Sequence, residues 1–138
     1  MTMKFWVGIG ILSLVALAGV FYPKYVRNPH CEYDGSSIAP IYEAEIILRD
    51  KSSKKFCSIY CAKKWFDHNT NVIDHVIVTD EIRGSKVESG MAYFVKSDLI
   101  TNNANDNCIH AFQQRQAALV HAEKFNGSPA DDPFELDK

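Results

Sequence analysis

The chain has 138 residues, of which 46% are hydrophobic and 23% charged, a balance that fits one globular unit and excludes a disordered chain. A formal net charge of -2 excludes a strongly basic surface, so no nucleic-acid partner is expected. Four cysteines are too few for a disulfide-dense miniprotein and enough for one metal site.

From Phe5 to Tyr22 the chain reads FWVGIGILSLVALAGVFY, without one charge. As a helix this run rises roughly 27 Å, close to the roughly 30 Å hydrocarbon thickness of a bilayer. Trp6 near one end and Tyr22 and Tyr25 near the other suit the two interfaces. A single transmembrane anchor over residues 1–26 is expected, the alternative being a signal peptide cleaved at Ala16-Leu17-Ala18. Val20-Phe21-Tyr22 continue the apolar run past that triplet, which favours the anchor. Lys4 on one side and Lys24 and Arg27 on the other leave the orientation open by charge. A short tail leading straight into a span resembles a bacterial signal anchor, which would hold the following domain on the periplasmic or outer face of the cytoplasmic (inner) membrane.

About 110 residues remain, enough for a core without disulfide staples. Tyr42 to Leu48 is β-rich and partly alternating, Arg49 to Ser53 is a polar turn, and Lys54 to Phe56 can return as a second strand. Ser58 is a suitable N-cap for a helix reaching Asp67, with Ile59, Ala62 and Phe66 at helical spacing. Val72 to Thr79 and Met91 to Val95 read as strands. Thr101 to Asn107 (TNNANDN) is a loop by composition. Cys108 to Phe112 reads as a short strand, and Gln113 to Phe125 as a helix ended by Asn126-Gly127. The acidic tail over 128–138 is expected as a mobile end, with an edge strand at Phe134 to Leu136 at most. Strand pair, helix and strand, given twice, predict an α+β domain of two small halves over 27–127, although no internal sequence repeat supports the division.

The sharpest local feature is Phe56-Cys57-Ser58-Ile59-Tyr60-Cys61, which enters a helix from a hairpin. Residues four apart on a helix share a face, so Cys57 and Cys61 can reach one ion. Free backbone N–H groups at a helix start favour thiolate, the form that binds metal. Upstream, Cys31 precedes the Asp34-Gly35 turn signal. A knuckle with one cysteine, then a hairpin, then a helix opening with two more is the plan of a treble-clef-like metal site. For a fourth ligand the sequence offers Cys108, His110 (on the same face of a strand) or His30. His68 is too far along the helix, and His75, Met91 and His121 read as packing or surface. Disulfides such as Cys31 with Cys108, or four inert buried thiols, are the alternatives.

The Phe56-Cys57-Ser58…Cys61 stretch resembles the FCS-x-x-C core of the metal-handling modules called TRASH domains. From Cys31 to Gly127 the chain resembles the NosL family, accessory proteins of nitrous oxide reductase. The resemblance rests on Cys31-Glu32-Tyr33-Asp34-Gly35, Tyr42 to Ile46, Val78-Thr79-Asp80, Ala92-Tyr93-Phe94-Val95, and Ala111-Phe112 with Phe125-Asn126-Gly127. Asp34 stands where the family's opening motif has its second cysteine, Ser36 where it has methionine, and the 101–107 loop lacks the family's methionine. The family's attachment, a lipid on cysteine, also differs from a span. The resemblance implies a membrane-attached, extracytoplasmic, non-enzymatic metallochaperone that binds Cu(I) and delivers it to a cuproenzyme such as nitrous oxide reductase. The ligand candidates are Cys31, Cys57, Cys61, Cys108 and His110, and Zn(II) would suit a four-ligand sulfur/nitrogen set equally well. Two other functions compete. One is a thiol enzyme akin to organomercurial lyase, which uses paired cysteines with a carboxylate; the other is an interaction module held together by Zn(II).

Overall fold

The computed structural model describes residues 29–135, so the apolar run from Phe5 to Tyr22 lies outside the described residues. Among the described residues, no helix is long and apolar enough to cross a membrane.

The first half is built on a hairpin of β1 (Ala44–Leu48) and β2 (Ser53–Phe56), paired from Ala44↔Phe56 to Ile47↔Ser53. Its turn closes because the Asp50 carboxylate accepts the Ser52 N–H at 2.9 Å and the Ser52 hydroxyl at 2.6 Å. The helix α1 (Ile59–Phe66) follows, with Ser58 as its N-cap: the Ser58 hydroxyl oxygen accepts the Cys61 N–H at 3.2 Å. Ile59, Ala62 and Phe66 are buried on its inner face, as their spacing predicts. The strand β3 (Ile73–Thr79) then pairs with the free side of β1, and β4 (Lys86–Glu88) pairs with β3. The sheet order is β2-β1-β3-β4, antiparallel throughout. A bulge opposite Ile47 and Leu48 resets the alternation of β3, so that Ile73 and Val76, three apart, are both buried.

The second half repeats the plan. Strands β5 (Tyr93–Lys96) and β6 (Ile109–Phe112) pair, the helix α2 (Arg115–Lys124) follows, and β7 (Ser128–Ala130) pairs with β5. The order β6-β5-β7 matches β2-β1-β3, with the first strand central in both. The described residues thus form a mixed fold of two sheets and two helices. One core joins the halves, because Phe94 and Ala111 pack with Ile46, Phe56, Phe66 and Val78, while Val95 and Phe112 pack with Ala118 and Ala122 of α2. The sheet of the second half thus buries residues on both faces, which explains the consecutive buried pair Phe94-Val95.

Three details depart from the sequence reading. The three-residue strands β4 and β7 are too short to carry an alternating pattern. Met91 closes a 3-10 turn (Ser89–Met91), so the strand begins only at Tyr93. The segment after Gly127 is anchored: Ser128–Ala130 forms β7, and Phe134 sits in a turn with its ring buried 5.5 Å from that of Phe66. Burial of that one aromatic accounts for its order.

Candidate metal centre

The site begins with the 30–37 knuckle. His30 and Ser37 form a bridge, the Cys31 N–H donates to the Ser36 carbonyl at 2.8 Å, and the Gly35 N–H donates to the Cys31 carbonyl at 2.8 Å. Gly35 has φ of +73°, the left-handed conformation this tight turn demands. Asp34 folds back over the turn, its Oδ1 accepting the Ser36 N–H at 3.0 Å and the Ser36 hydroxyl at 2.6 Å. The Glu32 N–H donates to the Lys55 carbonyl at 2.9 Å, which ties the knuckle to β2 beside the helix start.

Hairpin, knuckle and helix therefore meet at one point. One ligand atom each from Cys31, Asp34, Cys57 and Cys61 lies within 4.8 Å of every other. The Cys57 and Cys61 sulfurs are 3.7 Å apart, and Asp34 Oδ2 is 3.3 Å from the Cys61 sulfur and 3.8 Å from that of Cys57. None of the four cysteines of the chain is disulfide-bonded. All three cysteines of the cluster are buried, whereas Asp34 is exposed. Three soft sulfurs and one carboxylate oxygen at this spacing can hold a single ion.

The electrostatics suit a site that exchanges protons for a cation. Burial pushes the Cys31 and Cys61 thiols up, and the neighbouring Asp34 carboxylate adds to the effect at both. For Asp34 itself burial works upward but is outweighed by the hydrogen bonds from Ser36 and from the thiols, which hold the carboxyl well below its ordinary range. The Asp34 carboxylate is thus charged while the Cys31 and Cys61 thiols are held toward their protonated form, so a cation binding there would displace their protons.

The other sequence candidates stand apart. Cys108 is half-buried just before β6 and is outside the cluster. His110 is fully buried with both ring nitrogens engaged, Nδ1 2.9 Å from Glu81 Oε2 and Nε2 3.0 Å from the Leu99 carbonyl. His30 is exposed beside the knuckle, and His68 turns its Nδ1 to the Lys64 carbonyl, 2.9 Å away. His121 is buried between the rings of Phe112 and Phe125, its Nε2 3.1 Å from the Ser97 hydroxyl.

Sequence reasoning missed three residues at the centre. The sequence reads Asp34 as a turn residue, as a departure from the NosL family's second cysteine and as the carboxylate of the lyase comparison, but not as a metal ligand. Asn102 and Asn105 looked like loop filler. Their side-chain amides reach the thiols: Asn102 Nδ2 donates to the Cys57 sulfur at 3.3 Å, and Asn105 Nδ2 lies 3.4 Å from the Cys57 sulfur and 3.1 Å from that of Cys61. Nothing in the sequence alone placed that loop over the helix start.

Two antiparallel sheets, each fed by a hairpin and a helix, with thiols gathered at one helix start, define a small α+β module that carries a candidate metal site. Its fold is similar to that of the copper chaperone NosL from Shewanella denitrificans, with a TM-score of 0.65 and 18% sequence identity over 74% of this chain and 85% of that one. No protein-family model and no curated protein matches the chain.

Proposed function

We propose that this chain is a metallochaperone whose cargo is Cu(I), held by the thiolates of Cys31, Cys57 and Cys61 with Asp34 alongside. The observation that carries the reading is the convergence of those four donor atoms within 4.8 Å. Three thiolates suit a soft monovalent ion, and a fourth position taken by a carboxylate rather than sulfur leaves the softest ions three-coordinate and open to exchange. Transfer proceeds by ligand exchange: a donor atom of the acceptor bonds the ion as one cysteine thiolate leaves, with no change in oxidation state. The NosL-like fold supports this reading. The apolar run from Phe5 to Tyr22 would tether the domain to the cytoplasmic membrane on its outer face, where a cuproenzyme such as nitrous oxide reductase would be the acceptor.

The test is anaerobic titration of the full-length chain with Cu(I) against a competing chelator, after elemental analysis of the purified protein. Sub-micromolar affinity that falls at least a hundredfold in Cys31→Ser supports the reading. Micromolar or weaker binding, or no loss in that variant, refutes it.

The thiol-enzyme reading gains one observation, the contact between Asp34 and Cys61, because organomercurial cleavage needs a carboxylate beside paired thiols. That carboxyl is held deprotonated by Ser36 and the thiols, so any proton for a carbon leaving group would have to come from a thiol. The same charge serves a cation site directly.

A further inference from the structure

The 101–107 loop comes from the second half yet ends over the thiols of the first. Its base is fixed. The Thr101 N–H donates to the Asn107 carbonyl at 3.1 Å, and the buried Asn107 side chain bonds the Tyr60 N–H (3.0 Å), the Thr101 hydroxyl (2.9 Å) and the Ile109 carbonyl (3.0 Å). The tip carries the two amides, and their orientation is set by their oxygens. Asn102 Oδ1 accepts the Ala104 N–H at 2.9 Å, and Asn105 Oδ1 accepts the Ser58 hydroxyl at 3.5 Å, which turns both NH2 groups toward sulfur.

Asn105 is the more telling. Its Nδ2 lies 3.4 Å from the Cys57 sulfur, 3.1 Å from the Cys61 sulfur and 3.3 Å from Asp34 Oδ2. Those three atoms are themselves 3.3 to 3.8 Å apart. Four points with nearly equal edges make a tetrahedron, so the amide nitrogen stands over the middle of the face that the three ligand atoms form. Heavy atoms in polar contact stay about 3 Å apart, so no further donor atom enters through that face while the amide is there. An NH2 group has two hydrogens for these three acceptors, so one contact is always unmet and the cap is held less firmly than a fully paired amide.

We propose that Asn105 gates metal exchange, its amide capping the Cys57–Cys61–Asp34 face so that an ion or an acceptor's ligand passes only when the amide swings aside. This rests on the reading of the cluster as a transfer site. Asn102 flanks the cap, and the pinned base makes the loop tip the moving part.

The experiment compares the full-length chain with Asn105→Ala and Asn105→Ser, both of which remove the amide donor without adding a charge beside the thiols. Asn103→Ala, an exposed change in the same tip, is the control. Three quantities are measured: the rate of thiol alkylation by iodoacetamide in the metal-free chain, read by mass spectrometry at Cys57 and Cys61; the rate at which a bidentate chelator strips Cu(I) from the loaded chain; and the thermal midpoint. Removing a cap held by hydrogen bonds of ordinary net strength should raise both rates about five- to tenfold in both Asn105 variants, while the thermal midpoint falls by only a few degrees and unfolding stays cooperative. Unchanged rates, or an equal rise in Asn103→Ala, overturn the gate alone. A wild-type chain that loads no ion overturns the metal reading and the gate with it; the alkylation rates tell the two failures apart.

Discussion

Replacing Asp34 with asparagine separates its work as a ligand from its work in the turn. Asparagine keeps an Oδ1 to accept the Ser36 N–H and hydroxyl, now at 3.0 and 2.6 Å, and is as well suited as aspartate to that turn. What disappears is the anionic oxygen 3.3 Å from the Cys61 sulfur. A contact to a charged group is worth about 1.5–3 kcal/mol, and about 1.4 kcal/mol is a factor of ten in affinity. An ion that takes the carboxylate as its fourth ligand should therefore bind about ten- to a hundredfold more weakly. Zn(II) prefers a complete tetrahedral set with oxygen, nitrogen or sulfur, whereas Cu(I) is satisfied by soft thiolates. Zn(II) affinity should fall by that full factor, and Cu(I) affinity by less than about threefold. Anaerobic competition titrations of the same preparations with each ion measure both, and a thermal melt checks that the knuckle still holds. Equal losses for the two ions, with the melt unchanged, would refute the argument that three sulfurs carry the copper site.

Two further predictions concern the scaffold. His121 has its pKa lowered from 6.5 to about 4, by burial first and then by the neighbouring His110 and Lys124. The folded state takes up its proton later than the unfolded chain, so the stability this group contributes is complete above about pH 6.5 and is lost as pH falls toward about 4. Glu81, raised chiefly by burial, pulls in the opposite direction, so the readout is the difference between wild-type and His121→Phe denaturation curves across that window; a constant difference would contradict the assignment. Gly127→Ala should lower the denaturation midpoint by an amount equivalent to about 1–3 kcal/mol. A Cβ there would stand 2.8 Å from Ser97 Cβ and 2.9 Å from the Lys96 carbonyl oxygen and from Val95 Cγ1, contacts that β5 cannot relieve without moving. A neutral result would mean that β5 yields more easily than its pairing on both edges implies.

The legible parts of this protein were the local ones. Ser58 capping, the Cys57 and Cys61 pair and the buried face of α1 all follow from spacing within a single turn or two of helix. The β1–β2 hairpin was readable because a polar turn separates two β-rich runs. Asp34 was not readable as a ligand, because an aspartate before glycine is explained fully by the turn it makes, and only the return of β2 beside the knuckle gives it a second task. The asparagines of the 101–107 loop were invisible for a similar reason: polar loops are usually solvated, and this one is held over α1 by Asn107, whose Oδ1 accepts the Tyr60 N–H across 47 positions of sequence. Cys108 and His110 looked eligible by residue type and by their shared face on a strand. The ring of His110 is instead committed to Glu81 and the Leu99 carbonyl. The end of α2 was right in place and different in cause. Asn126 takes the left-handed position at φ of +51°, and Gly127 is needed for its lack of bulk against β5.

The doubled strand-pair, helix and strand plan gives the cysteine cluster a counterpart position in the other half. Both second strands end in a fully buried phenylalanine, Phe56 and Phe112, and both helices begin three residues later, at Ile59 and Arg115. Laid over one another, the halves put Gln113 opposite Cys57, Gln114 opposite Ser58 and Ala117 opposite Cys61, with alanine in the next position of both, Ala62 and Ala118. One half carries thiols in those positions and the other carries glutamine and alanine. The second helix start is therefore a place where two thiols could be written in four residues apart, although Gln114 there lacks the side-chain cap that Ser58 supplies.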